Sequence, residues 1–206
     1  MAIDPGVINL AYCILEWDDP APAGTLGDLG RALHEGRLRI VEWAVLPVAP
    51  GGRRGAIAVV LEGVVAFLRA RVAVFATLER VVIEQQMNAC MKQVTACLYG
   101  GLRALCPHVA VAQQSAGRKL AFGDLAAFAP ADASSGSVPL ATYAQRKRAA
   151  VAAVARLLEA GPALPLATFG ASRKKDDLAD ALLHGLAACA APAPRGRKRA
   201  APAGGA

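Results

Sequence analysis

The segment Arg80–Glu84 reads Arg-Val-Val-Ile-Glu. Three consecutive apolar residues in so short a run leave no polar face for water, which predicts a strand buried on both faces. Such a strand needs covering layers, and the flanking sequence supplies them. Ala56–Val72 and Ala89–Leu105 carry apolar residues at helical spacing, and Val109–Ala112 reads as another buried strand. Upstream, Pro5-Gly6 breaks the first segment, Leu10–Leu15 favours a strand, and Arg37–Val48 alternates like a half-buried strand. Asp18–Gly36, rich in Gly, Pro and Asp, reads as a loop. Downstream, Gln113–Ala141 reads as a long connection. Thr142 is a good N-cap for a helix over Tyr143–Glu159, Gly161-Pro162 ends that helix, and Asp176–Cys189 forms a last one. This order predicts an α/β fold, a mixed central β-sheet flanked by helices, over residues 1–190. Residues 191–206 are a low-complexity Pro/Ala/Gly tail.

The chain has 206 residues, which suits one domain and a tail. Hydrophobic residues make up 55% and charged residues 19%, which excludes a globally disordered chain. The apolar content does not predict a membrane protein. The best stretch, Ala56–Leu68, carries Glu62, is followed by Arg69 and Arg71, and falls short of the about 20 residues a span needs. No secretory signal is visible at the N-terminus. The five cysteines are odd in number and form no Cys-x-x-Cys pair, so free thiols in a reducing, intracellular compartment are expected. The net charge is +7, which suggests a polyanionic partner. Arg195, Arg197, Lys198 and Arg199 lie in the tail, however, and without them the charge is +3.

In a chain that spares charges, the positions of its acids are informative. Asp4 lies in the first strand before the Pro-Gly turn, Glu84 ends the buried strand, and Asp177 and Asp180 open the last helix at i,i+3 on one face. Each has a plain structural role open to it. Asp4 suits turn initiation, Glu84 an exposed strand end, and the aspartates a helix dipole. Together they suit a different role. Carboxylates at buried strand ends are poorly solvated, and several converging ones repel unless a divalent cation lies between them. Such oxygen donors suit Mg²⁺ or Mn²⁺. Lys174 and Lys175 precede the helix, where a cation opposes the dipole. A phosphate or the acid cluster itself would justify them.

The motifs Ile3-Asp4-Pro5-Gly6-x-x-Asn9, Ile83-Glu84-Gln85-Gln86 and Lys174-Lys175-Asp176-Asp177-Leu178-Ala179-Asp180-Ala181 resemble those of the RuvC-like Holliday junction resolvases of the ribonuclease H superfamily. The last motif is most similar to the branch of poxviruses and other large DNA viruses. The resemblance spans Ile3 to about Leu186. It implies a ribonuclease H-like fold and assigns Asp4, Glu84, Asp177 and Asp180 as metal-binding catalytic acids, with two Mg²⁺ ions that Mn²⁺ would replace. Asp176 is the alternative neighbour, and Asp177 is preferred because it shares a face with Asp180. The resemblance further implies a homodimer that makes paired nicks in branched DNA, the four-way junction, during recombination or replication. It also implies a catalytic lysine from Gln113–Lys119, for which Lys119 is the candidate. One departure is that only three residues precede Asp4, which leaves a short first strand.

Further DNA-binding candidates follow from residue chemistry. Gln85, Gln86 and Asn88 follow the glutamate, and carboxamides there suit backbone or base contacts; Asn88 is equally a helix N-cap. Arg146 and Lys147 lie in the helix after Thr142, and Arg53 and Arg54 in a glycine-rich loop. His184 falls on the acid face of the last helix, either as a site residue or as a partly buried helix histidine. Cys90, Val94, Cys97, Leu98 and Leu102 on Ala89–Leu105 form either a dimer interface or an ordinary core face. The alternatives to junction resolution are a ribonuclease H-like nuclease cutting RNA–DNA hybrid or RNA, a non-catalytic DNA-binding module, and an actin-like ATPase lobe. The chain is short for two such lobes and has no second glycine-rich motif.

Overall fold

The computed structural model of the protein describes residues 1–18, 25–49, 51, 55–120, 122, 142–159 and 163–190. Its strands are β1 (Ala2–Asp4), β2 (Asn9–Trp17), β3 (Leu38–Pro47), β4 (Arg80–Gln85) and β5 (Ala110–Ser115). Its helices are α1 (Leu26–His34), α2 (Ile57–Ala70), α3 (Val72–Phe75), α4 (Ala89–Leu105), α5 (Tyr143–Glu159), α6 (Ala163–Ala171) and α7 (Lys175–Ala190). The strands form one sheet in the order β3-β2-β1-β4-β5. β2 runs antiparallel to both neighbours, while β1, β4 and β5 pair in parallel. The fold is therefore α/β, with a mixed five-stranded sheet between helices. No helix of the described residues is long and apolar enough to cross a membrane.

Strand alternation divides the core in two. Ile3, Leu10, Tyr12 and Ile83 face α2, α3 and α4, where they meet Val64, Phe67, Phe75, Val94, Leu98 and Leu102. Ala11, Cys13 and Trp43 face α1, α5, α6 and α7, where they meet Leu29, Val154, Phe169, Leu182 and Leu186. Val81-Val82-Ile83 is buried throughout, as a strand covered on both sides must be.

Several expectations need correction. The segment read as a loop over Asp18–Gly36 contains α1. Thr25 caps it by accepting from Asp28 N at 3.1 Å, and Leu26, Leu29, Ala32 and Leu33 are buried at helical spacing. No helix is expected between Gly161-Pro162 and Asp176, yet α6 lies there. It brings Phe169 into a parallel stack on Trp43 with ring centroids 5.4 Å apart. Val109–Ala112 is not a buried strand. β5 starts and ends later and lies at the sheet edge, with most of its residues exposed. The apolar face of α4 packs inside the chain, with Val94, Leu98 and Leu102 fully buried. These three form a core face, against which the partly buried Cys97 packs, while Cys90 is only partly buried. The start of α5 forms as expected. Gln145 N donates to Thr142 Oγ1 at 3.2 Å and Thr142 N to Gln145 Oε1 at 2.9 Å, a reciprocal cap.

Candidate active site

Register brings the first two acids together. Ile3 pairs with Ile83 in the parallel β1–β4 ladder, and both point into the α2/α4 core. One residue further on, Asp4 and Glu84 therefore point to the opposite face, beneath α7. Asp4 also pairs with Ala11, which lies in the α7-side core. Helix α7 crosses β1 and β2 and carries Asp177 and Asp180 on one face. Its first turn is pinned by Trp43, whose Nε1 donates to the Leu178 carbonyl at 3.0 Å.

Asp4, Glu84, Asp177 and Asp180 all line one cleft of about 760 Å³. It opens at the carboxyl ends of β1 and β4. There the chain order turns outward in both directions, the usual place for a ligand site in an α/β sheet. One wall is the β1–β2 turn, Pro5 to Ile8. Gly6 is required in that turn, because a Cβ there would lie 2.2 Å from the Asn9 carbonyl oxygen. Glu84 and Asp180 are buried at 7% and 6% exposure, so two of the four carboxylates are cut off from bulk water.

The surroundings of Asp176 and Asp177 differ. Lys147 Nζ donates to Asp176 Oδ2 at 2.6 Å and stands 4.0 Å from Asp177 Oδ1. Lys174 Nζ lies 4.0 Å from Asp177 on its other side. Burial acts to raise Asp176, but the Lys147 hydrogen bond outweighs it and holds this carboxyl below the ordinary aspartate range. Asp177 is pushed above that range, first by burial and then by the neighbouring Asp176 charge; Lys174 and Lys147 oppose this incompletely. Burial disfavours the Lys147 ammonium, yet Asp176 and Tyr143 more than compensate and raise it above the ordinary lysine range.

The other candidates are placed as follows. Gln86 Nε2 donates to Asp4 Oδ1 at 3.3 Å, so it positions an acid. Gln85, Asn88, Arg146, Lys147 and Lys174 line the cleft; Lys175, the first residue of α7, does not. Asn88 also caps α4, its Oδ1 accepting from Cys90 N at 2.9 Å. Lys119 belongs to the 3-10 turn Ala116–Leu120, whose Ala116 and Gly117 line the cleft; its side chain lies outside the described residues. Arg53, Arg54 and residues 191–206 also lie outside them. His184 is 1% exposed, with Nε2 3.4 Å from Glu84 Oε2. Two neighbours were not singled out from sequence. Tyr143 is exposed on the rim beside Lys147, and Gln114 is the β5 partner of Glu84. Finding Gln114 required the register of two parallel strands, which no local pattern contains.

The four carboxylates offer hard oxygen donors of the kind that suit Mg²⁺ or Mn²⁺. As the side chains stand, no three His, Cys, Asp or Glu of the described residues converge closely enough to form a ready coordination sphere. The donor chemistry and the shared cleft fit a divalent cation; assembling its shell requires rotation of these side chains. No family model, curated protein or solved structure compared with the chain matches it.

Proposed function

We propose that the chain is a divalent-metal-dependent endonuclease of the ribonuclease H-like type, which resolves four-way DNA junctions by paired phosphodiester hydrolysis as a homodimer. One observation carries this reading. Acids from three distant stretches, Asp4, Glu84 and Asp177 with Asp180, line a single cleft at the carboxyl ends of two adjacent parallel strands. Two of them are buried, a costly arrangement that a bound cation would offset. The sheet order, with β2 alone antiparallel, is compatible with the ribonuclease H-like assignment.

In this reading Asp4, Glu84, Asp177 and Asp180 hold the metal ions. Bound there, they would activate a water and stabilise the leaving oxygen. Gln86 orients Asp4. Lys147 fixes Asp176 and places a cation beside Asp177. Arg146 and Lys174 on the cleft wall, together with Gln85 and Asn88, meet the DNA backbone.

The test compares Mg²⁺-dependent cleavage of a four-way junction, an RNA–DNA hybrid and a linear duplex. Asp4→Asn, Glu84→Gln, Asp177→Asn and Asp180→Asn are assayed beside the wild type. The junction is cut in preference to the other two, in paired nicks. Each amide variant loses more activity than the roughly 10–100-fold that loss of a supporting contact costs. Preferential cutting of the hybrid would transfer the same site to the ribonuclease reading. Amide variants that cut at the wild-type rate would remove the acids from the chemistry.

A further inference from the structure

Beside Glu84 lie two buried polar side chains with ring or amide nitrogens that have no hydrogen-bond partner. His184, on α7, is 1% exposed, and neither ring nitrogen makes a hydrogen bond. Its Nε2 is 3.4 Å from Glu84 Oε2, close enough for attraction but outside hydrogen-bond geometry. Gln114, on β5, is 9% exposed, and its Nε2 also has no partner. It pairs with Glu84 in the parallel β4–β5 ladder, so the two side chains leave the sheet on the same face. Buried polar groups without partners are rare in folded proteins, because each forfeits its hydration for nothing. Here two of them, from two different elements, neighbour Glu84, one by 3.4 Å to its carboxylate and the other as its cross-strand partner. Apolar residues of similar size would pack there without that cost.

We infer that His184 and Gln114 are positioning residues for Glu84. They are a pair of N–H donors that engage one carboxylate oxygen from behind and turn the other into the cleft. A carboxylate rotated by either donor gains a hydrogen bond at no further burial cost, since all three groups are already out of water. The imidazole takes the tautomer with its proton on Nε2. This inference rests on the proposed metal-dependent hydrolysis and on Glu84 as a ligand.

The experiment measures Mn²⁺ binding to the full chain by titration and by the Mn²⁺ electron paramagnetic resonance signal, without DNA. The variants are His184→Leu, His184→Gln, Gln114→Leu and Glu84→Gln. Losing a group that orients a metal-binding carboxylate typically costs about 10–100-fold in affinity, and that loss is expected for His184→Leu and for Gln114→Leu. His184→Gln keeps an N–H near the Nε2 position and recovers most of the affinity. Metal-free melting curves of the two leucine variants establish that each remains folded, so that a loss of Mn²⁺ affinity is read on folded protein. Folded leucine variants that bind Mn²⁺ as tightly as the wild type overturn the inference. If His184→Leu does not fold, Gln114→Leu decides alone. Weakened binding in Glu84→Gln with both leucine variants unchanged removes only this inference. Unchanged binding in Glu84→Gln, or no binding by the wild type, removes Glu84 as a ligand and the inference with it.

Discussion

Asp176 and Asp177 are adjacent in sequence, yet their electrostatic environments differ. Asp176 is neutralised by a 2.6 Å hydrogen bond from Lys147, which leaves it little capacity to serve another cation. Asp177 faces the cleft, and burial and its acidic neighbours raise its proton affinity, the condition a second positive charge relieves. The two amide variants should therefore separate. Asp176→Asn loses a half-buried ion pair and about 1 kcal/mol or less of stability, and the proposed nuclease activity falls by at most the 10–100-fold typical of a supporting contact. Asp177→Asn loses substantially more activity. Steady-state cleavage with chemical denaturation of both variants checks this, and equal activity losses would erase the distinction. The preference for Asp177 was legible in the sequence, because i,i+3 spacing puts it on one helix face with Asp180. The partner of Asp176 was not, since Lys147 lies 29 residues away on another helix.

At the scale of elements, α2 holds the far side of the sheet and, through it, one cleft wall. A Cβ on Gly63 would lie 1.9 Å from the Val48 carbonyl oxygen. The same stretch anchors the cleft turn, with Val48 N donating to Ile8 O at 2.9 Å. In an open helix, Gly→Ala would gain about 1 kcal/mol from helix propensity. Here backbone blocks the methyl, so Gly63→Ala should destabilise by about 1–3 kcal/mol, the usual cost of overpacking. A higher melting temperature for that variant would refute the close approach. A second tie joins β2, β3 and the α2–α3 junction. Arg71 donates to Glu42 at 2.6 Å and lies over the Tyr12 ring, and Tyr12 donates to Glu42 at 2.5 Å. The Arg71 hydrogen bond is the main cause that holds the Glu42 carboxyl below its ordinary range. A carboxyl lowered in the folded state contributes stability above its unfolded value, about 4.3 for glutamate, and loses it as pH falls through the lower folded value. Glu42→Gln should therefore be less stable than the wild type at pH 7, by about 1 kcal/mol. The gap should close in acid, and denaturation midpoints across that range measure it. A gap that persists below the folded value would assign the loss to packing.

Legibility followed the strength of local signals. β4 was readable from its apolar run, α4 from its helical spacing, α5 from helical spacing with the capping Thr142, and α7 from the acids that open it. α1 was hidden by the Gly, Pro and Asp around it, although Thr25 and Asp28 already form a cap. α6 has Pro165 in its first turn, a position a helix tolerates, and an almost uniformly apolar sequence without a polar face. Only its packing under α5 and against Trp43 makes it a helix. The four acids were readable as a set because so few charges compete with them. Their common cleft depended on strand register, as did the place of Gln114 beside Glu84, whereas His184 was already readable on the acid face of the last helix.

For the whole molecule, the net charge of +7 and the acid cleft pull in opposite directions. A polyanion approaching the cleft meets Arg146 and Lys174 on its wall but also four carboxylates, so cations contributed by other parts of the chain are the next to test. Four of them, Arg195, Arg197, Lys198 and Arg199, fall within residues 191–206. Each phosphate neutralised on B-form DNA contributes about −0.9 to the slope of log affinity against log salt. Deleting residues 191–206 should make that slope shallower by about 2–4 if the arm engages the backbone. Turnover at saturating junction should not change, because every acid of the proposed site lies between residues 4 and 180. Lys174→Gln should make the slope shallower by about 1 and should also slow turnover, since that lysine stands 4.0 Å from Asp177. Binding measured from low to moderate salt, beside single-turnover cleavage, separates the two classes. An unchanged slope after deletion would take the arm out of DNA binding. A loss of turnover after deletion would show that the arm reaches the chemistry, and would extend the site beyond the cleft described by the four acids.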